Sequence, residues 1–146
     1  MDFEECVKFA NERIICSVAT VDADQPHVRM FGMWFADKDG FYYSTQKTGN
    51  VYRQLSVNPK LELCFYAPPE TPLGQGPTMD MGKVMRATGT AEFIDDPSMK
   101  ERLLNERPFL RPFAENAVIF RVKNGEAWFW TFADSGRESA IERVRF

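Results

Sequence analysis

A tight turn between two β-rich runs limits what this chain can become. HVRMFGMWFA, residues 27–36, and FYYST, residues 41–45, flank DKDG, an Asp-Gly turn of the kind that joins antiparallel strands directly. So short a link leaves no room for a crossover helix, and the two runs must be antiparallel neighbours. Similar runs recur along the chain. IICSVATV, 14–21, is short and β-branched, and the turn DADQP follows it. LELCFYA, 61–67, alternates, and KVMRATGTAEFID, 83–95, reads as a long strand with Gly89 at a bulge or bend. AVIFRVKNGEAWFWTF, 117–132, reads as a last hairpin turning at Asn124-Gly125, and the tail ESAIERVRF adds a short edge strand.

Three helices punctuate these strands. Residues 2–12 are amphipathic, with Asp2 as cap and Phe3, Val7 and Ala10 at helical spacing. A second helix runs from about Thr48 to Val57, stopped by Asn58-Pro59. Asp96-Pro97 opens a third, whose buried face is Met99, Leu103 and Leu104 and which ends before Pro108 and Pro112. Residues 68–82, with four Pro and three Gly, read as a long loop, either a lid or binding loop or a merely mobile one. Six or seven mostly antiparallel strands and three helices make a mainly β chain of the α+β class. Such a sheet tends to close on itself and remove its edges.

The 146 residues are the length of one ordinary domain, 1–146. Thirteen Phe, four Tyr and three Trp supply more flat apolar surface than a small core uses. In the last hairpin Ala127, Phe129 and Thr131 face one way, and Trp128, Trp130 and Phe132 the other. One face fills a barrel; the other needs a helix or a second subunit, so we expect a homodimer. The net charge is −3 and no basic stripe occurs, which excludes a nucleic-acid binder. Ile14–Val21 is too short to span a bilayer, and the acidic start MDFEECVKF is unlike a signal peptide. A cytoplasmic protein without membrane contact is expected. Cys6, Cys16 and Cys64 are odd in number and form no CxxC pair, so they read as free thiols rather than as disulfides or metal ligands.

The stretch YYSTQKTGNVYRQL, 42–55, packs small hydrogen-bonding groups and a cation at the mouth of a helix. The first turn of a helix has unpaired N–H groups and attracts phosphate. Ser44, Thr45 and Thr48 offer hydroxyls, Lys47 and Arg53 offer charge, and Gly49 allows close approach. The same residues also suit a plain helix, capped by Thr48 on a solvated surface. Arg29 lies in the apolar run VRMFGMWF, sharing a strand face with Phe31 and Met33. Pairing of 27–36 with 40–45 would carry it toward Thr45 and the helix start. Cation, hydroxyls and helix N-terminus beside flat apolar groups suit a phosphate joined to an aromatic ring system.

The run RMFGMWFADKDGFYYSTQKTGNVYRQLSVNPKLELCFY resembles the FMN-binding split-barrel family typified by pyridoxamine 5'-phosphate oxidase, in its short branch. The resemblance extends over nearly the whole chain. It implies a six-stranded antiparallel Greek-key split β-barrel binding flavin as a single domain. It also implies that Arg29 meets the FMN phosphate and that main-chain groups of Met30, Phe31 and Gly32, within the run 29–34, meet the ring. Thr45 and Gln46 match the family's Thr-Asn pair. The family's basic pair falls on Asn50 and Val51, a departure that Lys47 and Arg53 could offset. The tail lacks the His of true pyridoxamine phosphate oxidases, and the lone His27 reads as a surface residue.

The resemblance therefore implies an FMN-dependent oxidoreductase acting on a small-molecule substrate, not a true pyridoxamine phosphate oxidase. Trp128 or Trp130 of a second subunit would cover the ring near the interface, or would simply pack there. No catalytic acid or base stands out in the sequence, and hydride transfer to a flavin requires none. The alternatives are a flavin-binding or sensing module without turnover and a split barrel using the deazaflavin coenzyme. A single His disfavours haem.

Overall fold

The chain opens with a helix because Asp2 and Glu5 cap each other's backbone N–H groups, a reciprocal box that begins α1, Phe3–Asn11. Its buried side, Cys6 and Ala10, covers one end of the sheet. Asn11 anchors it by exchanging two hydrogen bonds with the backbone of Ala36, at 3.0 and 2.8 Å. The structure, a computed structural model, describes residues 1–71 and 79–146. The loop expected over 68–82 lies partly outside the described residues. Among these residues no helix is long and apolar enough to cross a membrane.

The strands are β1 Ile15–Asp22, β2 Gln25–Gly32, β3 Phe35–Asp37, β4 Gly40–Gln46, β5 Lys60–Ala67, β6 Lys83–Ile94, β7 Ala117–Thr131 and β8 Val144–Arg145. They form one antiparallel sheet in the order β2-β1-β5-β6-β7-β4-β3, with β8 on β7. The end strands of that order, β2 and β3, are consecutive in the chain and separated only by Met33 and Trp34. Three Cα steps span at most about 11 Å, so the two edges of the sheet must come together. The fold is an antiparallel split barrel with helices added, as the sequence implies. Its eight strands exceed the expected six because the short β3 and β8 also join.

Two expectations are corrected. Residues 27–36 are not one strand. The Met33 N–H donates to the Ile14 carbonyl and the Trp34 N–H to the Tyr42 carbonyl, both at 2.8 Å. Neighbouring amides thus serve opposite edges, and the strand breaks between them. β2 pairs with β1, and only β3 pairs with β4. Residues 117–132 are not a hairpin either. The Asn-Gly pair sits opposite Gly89, where the register slips between Thr88 and Thr90, and β7 continues along β6. Asn124, at φ 56°, supplies the left-handed residue that a bulge and a tight turn share. The bulge expected at Gly89 is real, with two residues of β7 facing it.

Inside the barrel lie Cys16, Val18, Phe41, Tyr43, Leu63, Phe65, Met85, Phe120 and Val122, all nearly or fully buried. Phe31 lies edge-on to Tyr43, ring centroids 5.8 Å apart, and plugs the split between β2 and β4. Outside, α3 (Pro97–Glu106) is capped by Asp96 and packs Leu103 on Trp34, Tyr42 and Ile119. The remaining helix, α2, spans Asn50–Val57 and buries Val51, Gln54 and Leu55.

A Cβ on Gly125 would lie 1.6 Å from the Thr88 carbonyl oxygen, and one on Gly32 no closer than 3.8 Å to Ile15. Gly125→Ala should therefore cost about 3 kcal/mol or more, because two backbones must separate. Gly32→Ala should stay within about 1 kcal/mol of the parent. Urea unfolding of the two variants checks the contrast.

Candidate functional site: an arginine without a counter-anion

Among the described residues two polar side chains are buried, Thr20 at 1% exposure and Gln54 at 4%. Both point at Arg29. The alternation of β2 puts Arg29 opposite Val18 and Phe31 opposite Cys16, on the inner face. Arg29 Nη1 donates to Thr20 Oγ1 at 2.7 Å and to the Val18 carbonyl at 3.3 Å. Nη2 donates to Gln54 Oε1 at 2.8 Å, and the Thr20 hydroxyl donates to the same oxygen. All these acceptors are neutral, and Arg29 forms no ion pair among the described residues. Partial burial pulls its pKa below the ordinary arginine value. A guanidinium still stays protonated at neutral pH, so a positive charge is held rigidly and left uncompensated.

Arg29 meets α2 at Gln54, about one turn from the helix start. Gly49 is the N-cap, makes no side-chain cap bond, and the first turn holds no acidic residue. The expected cap by Thr48 is absent, and the helix begins at Asn50. The first N–H groups have no intrahelical partner and carry the positive end of the dipole. Gln54 sits four residues on, about 6 Å along the axis, so Arg29 approaches the flank of α2 rather than its tip.

The other sequence candidates separate. Thr45 shares the strand face of Tyr43, while Ser44 and Gln46 share that of Tyr42, toward α3. Lys47 and Asn50 are exposed. Lys47 lines a cavity of about 450 Å³ with Tyr52, Phe93 and Lys100, and Arg29 is not among the residues that line it. Arg53 turns away to pair with Asp22 at 2.9 Å, and that hydrogen bond holds the Asp22 carboxyl below its usual pKa. Met30 and Gly32 face outward, Met30 at 63% exposure. Among the described residues β2 pairs with β1 alone, so half of its main-chain groups look out from an open edge. Trp128 is held between the guanidinium groups of Arg86 and Arg143, 5.1 and 4.1 Å from its ring. Trp130 is half-buried on the same face.

Sequence reasoning missed Thr20 and Gln54. The available signal was a polar side chain in phase with apolar ones: Thr20 follows Cys16 and Val18 by twos, and Gln54 shares the stripe of Val51 and Leu55. A buried polar group needs partners, and each of these has Arg29.

The antiparallel split barrel defines a class of small β-barrel proteins. The sequence model described as pyridoxamine 5'-phosphate oxidase matches residues 3–131, and the chain belongs to that family. A NimC/NimA family protein from Clostridium acetobutylicum superposes with a TM-score of 0.70 at 24% identity, over 88% of this chain and 85% of that one. General Stress Protein 26 from Bacillus anthracis str. Sterne gives 0.69 at 15% identity, over 99% and 98%. PhzG from Burkholderia lata 383, solved with tetrahydrophenazine-1-carboxylic acid, gives 0.65 at 17%, over 88% and 77%. At these identities the likeness is one of fold. No curated protein matches the sequence.

Thiol chemistry is closed to this interior. Cys16 Sγ lies 3.2 Å from the Tyr43 hydroxyl, and burial pushes its pKa up to about 11. Burial also raises Cys6 to about 11, with Glu5 and Asp2 adding to the rise. A raised thiol pKa keeps the unreactive neutral form through neutral pH, so little Cys16 thiolate forms at pH 8. Iodoacetamide at pH 8 should alkylate Cys16 at least a hundredfold more slowly in the native chain than in urea. Mass spectrometry over time measures this, and equal rates would mean that the barrel interior is open.

Proposed function

We propose that this protein binds FMN through Arg29 and serves as an oxidoreductase for a small-molecule substrate. The observation that carries the reading is the Arg29 guanidinium, fixed by neutral acceptors and lacking a carboxylate. It lies along a helix whose first turn is uncapped and free of acid. An anionic oxygen arriving here meets a guanidinium whose neighbouring acceptor oxygens are already engaged and carry no charge, which suits a phosphate group. Arg29 and the N–H groups at Asn50 would hold the phosphate, with Thr45 on the same side of β4. The open edge of β2 at Met30–Gly32 would meet the polar rim of the ring. Lys47, exposed and without an ion pair among the described residues, adds long-range attraction. Arg53, already paired with Asp22, adds less.

Bound FMN would supply the redox chemistry, while the chain binds, orients and shields it. PhzG, solved with tetrahydrophenazine-1-carboxylic acid, supports a polycyclic organic ligand for a barrel of this shape.

The second part of the reading is a homodimer. The outer face of β2, β1 and β5 carries Val28 at 71% exposure, Met30 at 63%, Ile15 at 62% and Tyr66 at 50%. Apolar side chains adjoining across three strands form the kind of patch that a second copy covers. With Trp128 pinned by two arginines, Trp130 is the indole available near that interface.

FMN should bind at least tenfold more tightly than riboflavin in fluorescence titrations at moderate salt, and equal affinities would remove the phosphate from the reading. Arg29→Ala should weaken FMN binding by about 1.5–3 kcal/mol, ten- to a hundredfold, leaving riboflavin nearly unchanged. This comparison belongs at a temperature where both ligand-free proteins are folded, because the variant strands Thr20 and Gln54. Met30→Asp should halve the sedimenting mass at micromolar concentration. A parent chain that already sediments as a monomer would refute the dimer.

A further inference from the structure

Gln54 has a second end. Its Oε1 accepts from both Arg29 Nη2 and the Thr20 hydroxyl. Two donors aimed at one atom fix the amide's orientation, since that atom must be the oxygen. The amide nitrogen, with two N–H donors, then points away from the pair. It makes no hydrogen bond among the described residues, although the side chain is only 4% exposed. Nor is it sealed in: among the described residues the buried side-chain nitrogen or oxygen lacking a partner is Arg121 Nε. Gln54 therefore presents unused, reachable donors beside a guanidinium that retains N–H groups of its own.

We infer that Gln54 is an oxyanion-binding residue, donating its side-chain amide to the same phosphate that Arg29 attracts. Thr20 is the positioning residue that keeps the amide turned that way. The inference rests on the phosphate reading of Arg29 and assigns a new role to a side chain on α2. It also accounts for a neutral residue at this position. Glutamate would accept from Arg29 and Thr20 just as well and would give the buried cation a counter-ion. That pairing would cancel the charge the ligand needs and put a carboxylate oxygen where the amide donor stands. Glutamine keeps the clasp and leaves both the charge and the donors free.

Gln54→Glu tests this, because it retains the size and the acceptor while reversing the electrostatics. A purely structural Gln54 would tolerate it, and FMN affinity would hold. The inference requires FMN binding at pH 7.5 to fall at least tenfold while riboflavin binding changes less than about threefold, erasing the preference between the two flavins. Thermal unfolding without flavin, run alongside, should show a melting temperature at or above the parent's. Gln54→Met is the second variant, useful if the carboxylate disturbs folding: it lacks the amide donor and should also weaken FMN selectively. Retention of the FMN preference in a folded variant of either kind overturns the assignment of Gln54 and leaves Arg29 untouched. A parent protein with no such preference overturns both.

Discussion

Two adjacent amides hold this architecture closed. Met33 donates back to Ile14, and Trp34 donates forward to Tyr42. Because they bond in opposite directions, the chain leaves one edge of the sheet and joins the other within two residues. Everything near the seam follows from that crossing. It sets Phe31 against Tyr43, aims Arg29 inward beneath α2, and leaves the far edge of β2 open. A longer link would let the edges drift apart, and the cation would face water instead of a clasp of fixed acceptors.

That clasp explains how a small barrel tolerates a half-buried charge. Transfer of an ion from water is costly unless polar groups replace the lost hydration. Here a hydroxyl, an amide oxygen and a main-chain carbonyl do so without adding a negative charge. Charged pairs occur apart from it, Arg53 with Asp22 between α2 and β1 and others on outer faces. Arg86 meets Glu62, and both Arg121 and Lys123 meet Glu92. The contrast in chemistry is what distinguishes the seam from ordinary surface.

Much of the fold could be read from the residues. Alternation, the Asp-Gly turn and the Asp-Pro helix start gave the strands and helices nearly in place, since each signal acts locally. The errors arose where a local signal has two tertiary outcomes. Asn124-Gly125 suits a hairpin or a bulge equally, and the length of β6 decided for the bulge. The break after Gly32 has no local marker, because it results from where Ile14 and Tyr42 stand. Arg29 stood out as a charge in an apolar run. Gln54 and Thr20 did not, since a polar residue within an apolar stripe becomes informative only when its partner is known.

The long-range pairing of β4 also bears on how the chain is made. Tyr43 lies opposite Phe120, about eighty residues further on. At a ribosomal pace of about 5–20 residues per second, β4 waits on the order of 4–15 s for β7 to be synthesised. Through that interval Phe35, Phe41, Tyr42 and Tyr43 have no sheet to enter beyond their own small hairpin. The nascent first half therefore leaves these aromatic side chains without the strand they lie along in the finished sheet. Their burial waits for the last long strand, not for completion of the segment that carries the arginine.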